Sequence, residues 1–153
     1  MSTPSQRLAG LGLTLPPVAA PQAAYVPAVR TGNYVYVSGQ LPFVDGKLET
    51  TGKVGDTVSA EEAAALARLC ALNGLAAAAS VAGGLDAIRR IIKVTGFVAS
   101  APSFTGQPVV INGASEFFIE VFGEAGRHAR SAVGMAVLPL DTPVEVELIV
   151  EVA

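Results

Sequence analysis

Few residues in this chain could do chemistry, and most of them sit at the ends of apolar segments. Arg130 opens the stretch "RSAVGMAVLP", which otherwise has the composition of a buried strand. Its guanidinium is permanently charged and carries five N–H donors, so it either receives an anion or pairs with a nearby acid such as Glu124. Glu145 stands in "VEVELIVEV", where Val144, Val146, Leu148, Val150 and Val152 alternate with Glu145, Glu147, Ile149 and Glu151. That period puts the valines on a core face and the glutamates on the other. On an isolated strand that glutamate face would be plain solvated surface, but the segments "YVYV" and "SAVGMAVL" have little polar alternation, which makes a glutamate among them a candidate for an oligomer interface or a pocket. Tyr25, Ser38, Gln40 and Asn112 complete the polar residues at predicted element ends. Three of them have an ordinary structural use: Tyr25 as a core aromatic, Gln40 in a turn, Asn112 as a helix cap.

Other chemistries lack their parts. One histidine (His128) and one cysteine (Cys70) cannot build a dedicated transition-metal site. A serine triad would have to recruit His128, and no G-x-S-x-G elbow exists. Cys70 lies mid-helix among apolar residues and reads as core packing. "GQLPFVDGK" is one residue too long for a phosphate loop and lacks Ser or Thr after Lys47; "GLGLTL" lacks a third glycine and follows no strand. A net charge of −3, a pI near 5.1 and no basic run beyond Arg89-Arg90 argue against nucleic acid as a partner. A single cysteine forms no internal disulfide and suits a reducing cytoplasm. The N-terminal stretch is interrupted by Gly10, Gly12, Pro16 and Pro17, unlike a secretory signal. "LCALNGLAAAASVAGGL" falls short of the ~20 residues of a membrane span and reads as a helix packed inside a protein.

These residues need a scaffold. The length of 153 residues suits one domain. The charged fraction is 15%, against about 25% for a usual soluble domain, and mean hydropathy is +0.51. A surface so poor in charge points to copies of the chain covering one another. Residues 1–24, with four prolines, read as an irregular arm. Thr31-Gly32-Asn33 predicts a turn between strands near 25–30 and 33–38. Ser59-Ala60-Glu61-Glu62 fits a capping box opening a helix of about 23 residues, ended by Gly83-Gly84. "IRRIIKVTGFVAS" predicts a third strand, in which Ile91, Lys93, Thr95 and Phe97 share one face. "VVINGASEFFIEVFG" predicts a second helix from Phe117, Phe118, Val121 and Phe122. "RSAVGMAVL" and "VEVELIVEV" form a final strand pair across Pro139–Pro143. The order is that of an α+β sheet with both helices on one face.

Two segments carry a family resemblance. "YVYVSGQLP" resembles the Ser-Gly-Gln element of the RidA family (YjgF/YER057c/UK114), and "RSAVGMAVLPLDTPVEVELIVEV" is similar to its C-terminal signature: Arg-Ser, a strand, Leu-Pro, then Val-Glu-Val-Glu. The resemblance covers residues 22–153 and leaves residues 1–21 as an N-terminal arm. It implies a chorismate-mutase-like fold: a mixed sheet with two helices on one face. It also implies a homotrimer with a barrel-like centre and pockets between subunits. The activity it implies is hydrolysis of enamine and imine intermediates, 2-aminoacrylate and other 2-imino acids, to 2-keto acids and ammonia, without a cofactor. Arg130 falls on the family's carboxylate-binding arginine, and Glu145 on the acid that activates the hydrolytic water. Ser38 falls near the reacting nitrogen; Tyr25 and Asn112 fall on further pocket positions, and the backbone around Ala132 is expected to contact ligand.

The chain also departs from the pattern. Ala132 replaces the archetype's cysteine, so no thiol chemistry follows, and "YVPAV" replaces the usual Ser-Gln-Ala after the tyrosine. Both leave the arginine and the glutamate in place while altering the pocket. Two other functions fit the same residues: a non-catalytic, regulatory trimer that binds small carboxylates, or the family's translation-inhibiting endoribonuclease, which the charge balance opposes.

Overall fold

The structure, a computed structural model, describes residues 1–153. Its helices are α1 (Pro4–Gly10), α2 (Ala60–Ala82) and α3 (Gln107–Phe122). Its strands are β1 (Ala28–Thr31), β2 (Tyr34–Gln40), β3 (Ile88–Ala99), β4 (Ala129–Met135) and β5 (Val144–Val152). The capping box of α2 forms as its residue types dictate: the Ser59 hydroxyl accepts from Glu62 N, and the Glu62 carboxylate accepts from Ser59 N. Gly83 ends the helix at φ 95°, a conformation that disfavours a side chain.

The five strands form one sheet in the order β1-β2-β5-β3-β4. All pairings are antiparallel except β3 with β4. The predicted pairing of the last two strands is therefore not formed, because β3 separates them. The reason lies in α3, which stands between β3 and β4 in the chain. A strand–helix–strand crossover returns the second strand parallel to the first, and β5 then enters between β2 and β3.

The valine face of β5 is core, as its alternation requires. Val144, Val146, Leu148, Val150 and Val152 are all buried, and the residues between them are half-buried on the other face. Helix α2 packs over β2 and β5, and α3 over β3 and β4. Ala63, Ala67, Ala71, Ala77 and Ala78 are fully buried in α2. Their small size lets the helices close up: a methyl on Gly113 of α3 would strike the Ala64 carbonyl of α2. By length and apolarity α2 could cross a membrane, but 61% of that window is buried here, as in a core helix.

Strand β3 departs from strict alternation. The register slips between Ile91 and Lys93, so Ile91 turns to the core with Val94 instead of sharing a face with Lys93. A bulge inserts one unpaired residue and reverses side-chain phase beyond it.

Residues 4–10, expected to be irregular, form α1. Thr3 and Gln6 make a reciprocal capping box and Pro4 occupies the first turn. The helix is pinned where Ser5 donates from N (2.8 Å) and Oγ (2.6 Å) to the Asp86 carboxylate, and Leu8 is buried. On the sheet face away from the helices, Val29, Tyr34 and Tyr36 are exposed. Tyr36, Ser38, Lys93, Thr95, Glu147 and Ile149 line a shallow concavity there.

Candidate functional site

The parallel register sets the direction of Arg130. It pairs with Val94, and Ala132 pairs with Gly96, so both side chains share the helix-covered side of β4. On α3, Asn112 and Ser115 are three residues apart and thus project together. Arg130 Nη1 donates to Asn112 Oδ1 at 2.8 Å and to Ser115 Oγ at 3.2 Å, while Nη2 donates to the Pro108 carbonyl at 3.3 Å. Every acceptor is neutral. The alternative partner, Glu124, pairs with Arg127 at 3.1 Å, and Asn112 lies inside α3 rather than at its cap, which is Gly106. Nε–H and the second Nη2–H make no hydrogen bond within the chain. These two groups form one edge of the guanidinium fork, suited to a carboxylate.

Ser115 continues the contacts. Its Oγ lies 2.8 Å from His128 Nε2, and His128 Nδ1 lies 2.6 Å from the Gly126 carbonyl. The imidazole stands edge-on to Phe118, with centroids 5.9 Å apart. Burial and the Arg130 charge hold the His128 imidazole below its usual pKa, against the opposing Gly126 carbonyl. Sequence reasoning missed Ser115 and gave His128 no role. The signals were the i, i+3 spacing from Asn112 and the two-residue spacing from Arg130, which keep each partner on one side.

Glu145 faces the other way. It pairs with Phe97 on the face that the helices leave uncovered. Burial, then the Glu147 charge, raises its carboxyl above the usual 4.5. Strand β2 makes room for it: the register slips between Val37 and Gln40, and a methyl on Gly39 would fall on the Glu145 carboxylate. Ser38 fixes this bulge, with N donating to the Pro27 carbonyl (2.9 Å) and Oγ to the Val26 carbonyl (2.7 Å). Gln40 is buried and donates from Nε2 to the Ser38 carbonyl at 3.1 Å. Tyr25 precedes β1, is exposed, and accepts from Gln22 N at 3.1 Å through its hydroxyl. Tyr25 and Gly39 line one small cleft.

The sequence-predicted residues thus fall into two groups. Arg130 and Asn112 touch, with Ala132 beside them on β4, an edge strand whose outer backbone has no strand partner. Tyr25, Ser38 and Glu145 gather around the β2 bulge. Within one chain the groups do not meet. One group can grip an anion; the other offers a half-buried carboxylate of raised proton affinity.

A family model described as "YjgF/chorismate mutase-like, putative endoribonuclease" matches residues 5–152. Protein TCP17 of Trypanosoma cruzi is 46% identical over 142 residues, 92% of this chain and 89% of that protein. The crystal structure of Atu1372, a protein of unknown function from Agrobacterium tumefaciens, superposes with a TM-score of 0.89 at 51% identity, covering 99% of this chain and 94% of that one. Escherichia coli TdcF, solved with bound serine, superposes with a TM-score of 0.63 at 26% identity, covering 92% of this chain and 97% of that one.

Proposed function

This chain belongs to the YjgF/RidA family and has its chorismate-mutase-like fold, and from that premise we propose that it hydrolyses small 2-imino acids to 2-keto acids and ammonia. The observation that carries the reading is the state of Arg130. A half-buried guanidinium held by three neutral acceptors, with no ion pair and one free fork edge, is a charge waiting for a carboxylate. TdcF holds serine, a small carboxylate of similar size.

In this reading the Arg130 edge takes the substrate carboxylate, with Asn112 fixing the guanidinium from behind. Glu145 supplies the base. Its raised proton affinity brings it nearer to working pH, where a general base is most effective. It removes a proton from water as the oxygen adds to the imine carbon, and the nitrogen takes up a proton. Having passed that first proton on to the nitrogen, Glu145 takes the adduct's hydroxyl proton and delivers it to the amino group as the carbon–nitrogen bond breaks and the carbonyl forms, so that ammonia leaves with the 2-keto acid. Ser38 and the bulge at Gly39 hold the nitrogen end, and Tyr25 borders the entrance. No metal or cofactor enters these steps.

Because the two groups lie apart within one chain, the site belongs between copies: Arg130, Asn112 and the Ala132 backbone of one protomer meeting Tyr25, Ser38 and Glu145 of the next. A cyclic trimer provides three such junctions. The exposed Val29, Tyr34 and Tyr36 give the uncovered sheet face a reason to turn inward.

The test is imine hydrolysis with 2-iminobutanoate generated in situ by a pyridoxal-phosphate enzyme. Wild type should accelerate keto-acid release, and Arg130→Ala should bind pyruvate about 100-fold more weakly. Arg130→Lys should recover little, since an ammonium lacks the planar fork. Pyruvate binding through Arg130 without any acceleration would favour a binding trimer instead, a reading that the serine in TdcF also supports.

A further inference from the structure

We infer that Ser115 and His128 are positioning residues for Arg130, joined in a one-way hydrogen-bond chain that runs from the guanidinium to the Gly126 carbonyl. The inference rests on the carboxylate-binding role of Arg130, and it concerns residues that the family resemblance does not assign.

The direction of the chain follows from which atoms can donate. A carbonyl oxygen only accepts, so the 2.6 Å contact of His128 Nδ1 with Gly126 O places a proton on Nδ1. A neutral imidazole then has a bare Nε2, an acceptor. Ser115 Oγ, 2.8 Å away, must donate its proton there. Its lone pairs are left for Arg130 Nη1, which only donates, at 3.2 Å. Without the histidine the hydroxyl would be free to rotate. With it, Ser115 is held as an acceptor toward the arginine.

The outcome is a guanidinium anchored at Nη1 by Asn112 and Ser115 and at Nη2 by Pro108, so that Nε–H and the second Nη2–H point away from the anchors. A permanent cation is thereby held without a carboxylate that would compete with the ligand. Protonation of His128 would reverse the middle link, since Nε2–H would then donate to Ser115, and would set a second cation beside Arg130. The charged groups on the surrounding elements are Arg130 itself, the Glu124–Arg127 pair of the preceding turn, Glu116 and the Arg68-paired Glu120 on α3, and Arg89, Arg90 and Lys93 on β3, the last opposite Ala129. Arg130 is the one whose charge bears on the imidazole.

The chain's only histidine makes a clean probe. Nitrogen NMR of the intact protein should find His128 as the Nδ1–H tautomer at pH 7.5, with an Nε2 shift that changes in Ser115→Ala. Pyruvate affinity, by calorimetry, should fall about tenfold in Ser115→Ala and in His128→Leu, as expected for losing one hydrogen bond to a charged group. His128→Gln, which keeps an acceptor near the Nε2 position, should recover most of that loss. Apolar packing against Phe118 would be served by leucine, so wild-type affinity in His128→Leu overturns the inference. An Nε2–H tautomer overturns it as well. If wild type binds no pyruvate, the carboxylate role of Arg130 fails by itself; the tautomer and its response to Ser115→Ala then decide the hydrogen-bond chain alone.

Discussion

Arg130 and Glu145 point to opposite faces of the same sheet. Arg130 pairs with Val94 under α3, whereas Glu145 pairs with Phe97 on the uncovered side. Two strand spacings and three residues of offset put their Cα atoms about 14 Å apart. A small 2-imino acid cannot bridge that gap around a sheet, so the two residues can serve one substrate only across a junction of chains.

Mixing therefore tests the arrangement. Arg130→Ala and Glu145→Gln should each be inactive alone. Dissociated and reassembled in equal amounts, they should regain roughly one quarter of wild-type activity, the share of junctions that receive both intact residues in a cyclic assembly. A site built within one chain would give no recovery. Activity of the mixed sample, with size-exclusion chromatography to confirm assembly, is the measurement.

Glu145 should trade stability for function. Its folded carboxyl binds a proton more tightly than the unfolded one, so stability falls as pH rises from 4.5 through the raised value. At neutral pH, Glu145→Gln should abolish turnover yet raise Tm by roughly 2 °C, since the mutant no longer buries a charge. At pH 4 the gain should vanish. Thermal unfolding at the two pH values checks the sign, and the wild-type rate should fall as acid protonates this carboxylate.

Packing between the two long helices should tolerate no added atom. Gly113 faces the Ala64 carbonyl, a backbone group that cannot swing aside. Gly113→Ala should cost about 1–3 kcal/mol by prying α2 from α3, as overpacking does elsewhere. Urea denaturation would read this, and an unchanged midpoint would sink the argument.

The docking of α1 should be acid-sensitive. Hydrogen bonds from the Ser5 hydroxyl and backbone lower the Asp86 carboxyl below its usual 3.8. A depressed carboxyl stabilises above its unfolded value and stops doing so as pH falls through the folded one. Backbone amides of residues 5–10 should lose exchange protection as pH falls below the usual carboxyl value of 3.8, and Asp86→Asn should loosen them already at neutral pH. The group is exposed, so global stability should barely change.

Much of this protein is local in origin and could be read from its sequence. Ser59 with Glu62 sets the start of α2 and Gly83 its end, because capping depends on neighbours three residues away. The period of two in β5 fixes which side chains meet the core, since a strand's faces alternate whatever lies beside it. Arg130 at the mouth of an apolar strand was conspicuous by type alone. The Thr3–Gln6 capping box of α1 was equally local, but the prolines and glycines around it masked a helix of only two turns.

Other features depend on which segments become neighbours, and no spacing along the chain carries that. The insertion of β5 between β2 and β3 follows from the crossover through α3, not from the order of strands. The slip between Ile91 and Lys93 appears only once β5 sets the register against β3. The partners of Arg130 come from α3, 15 to 22 residues upstream, and its histidine acts through a serine that the sequence alone did not connect to it. Chemical type along the chain named the cation and the carboxylate; the sheet decided that they face apart, because pairing fixes the side to which each side chain points.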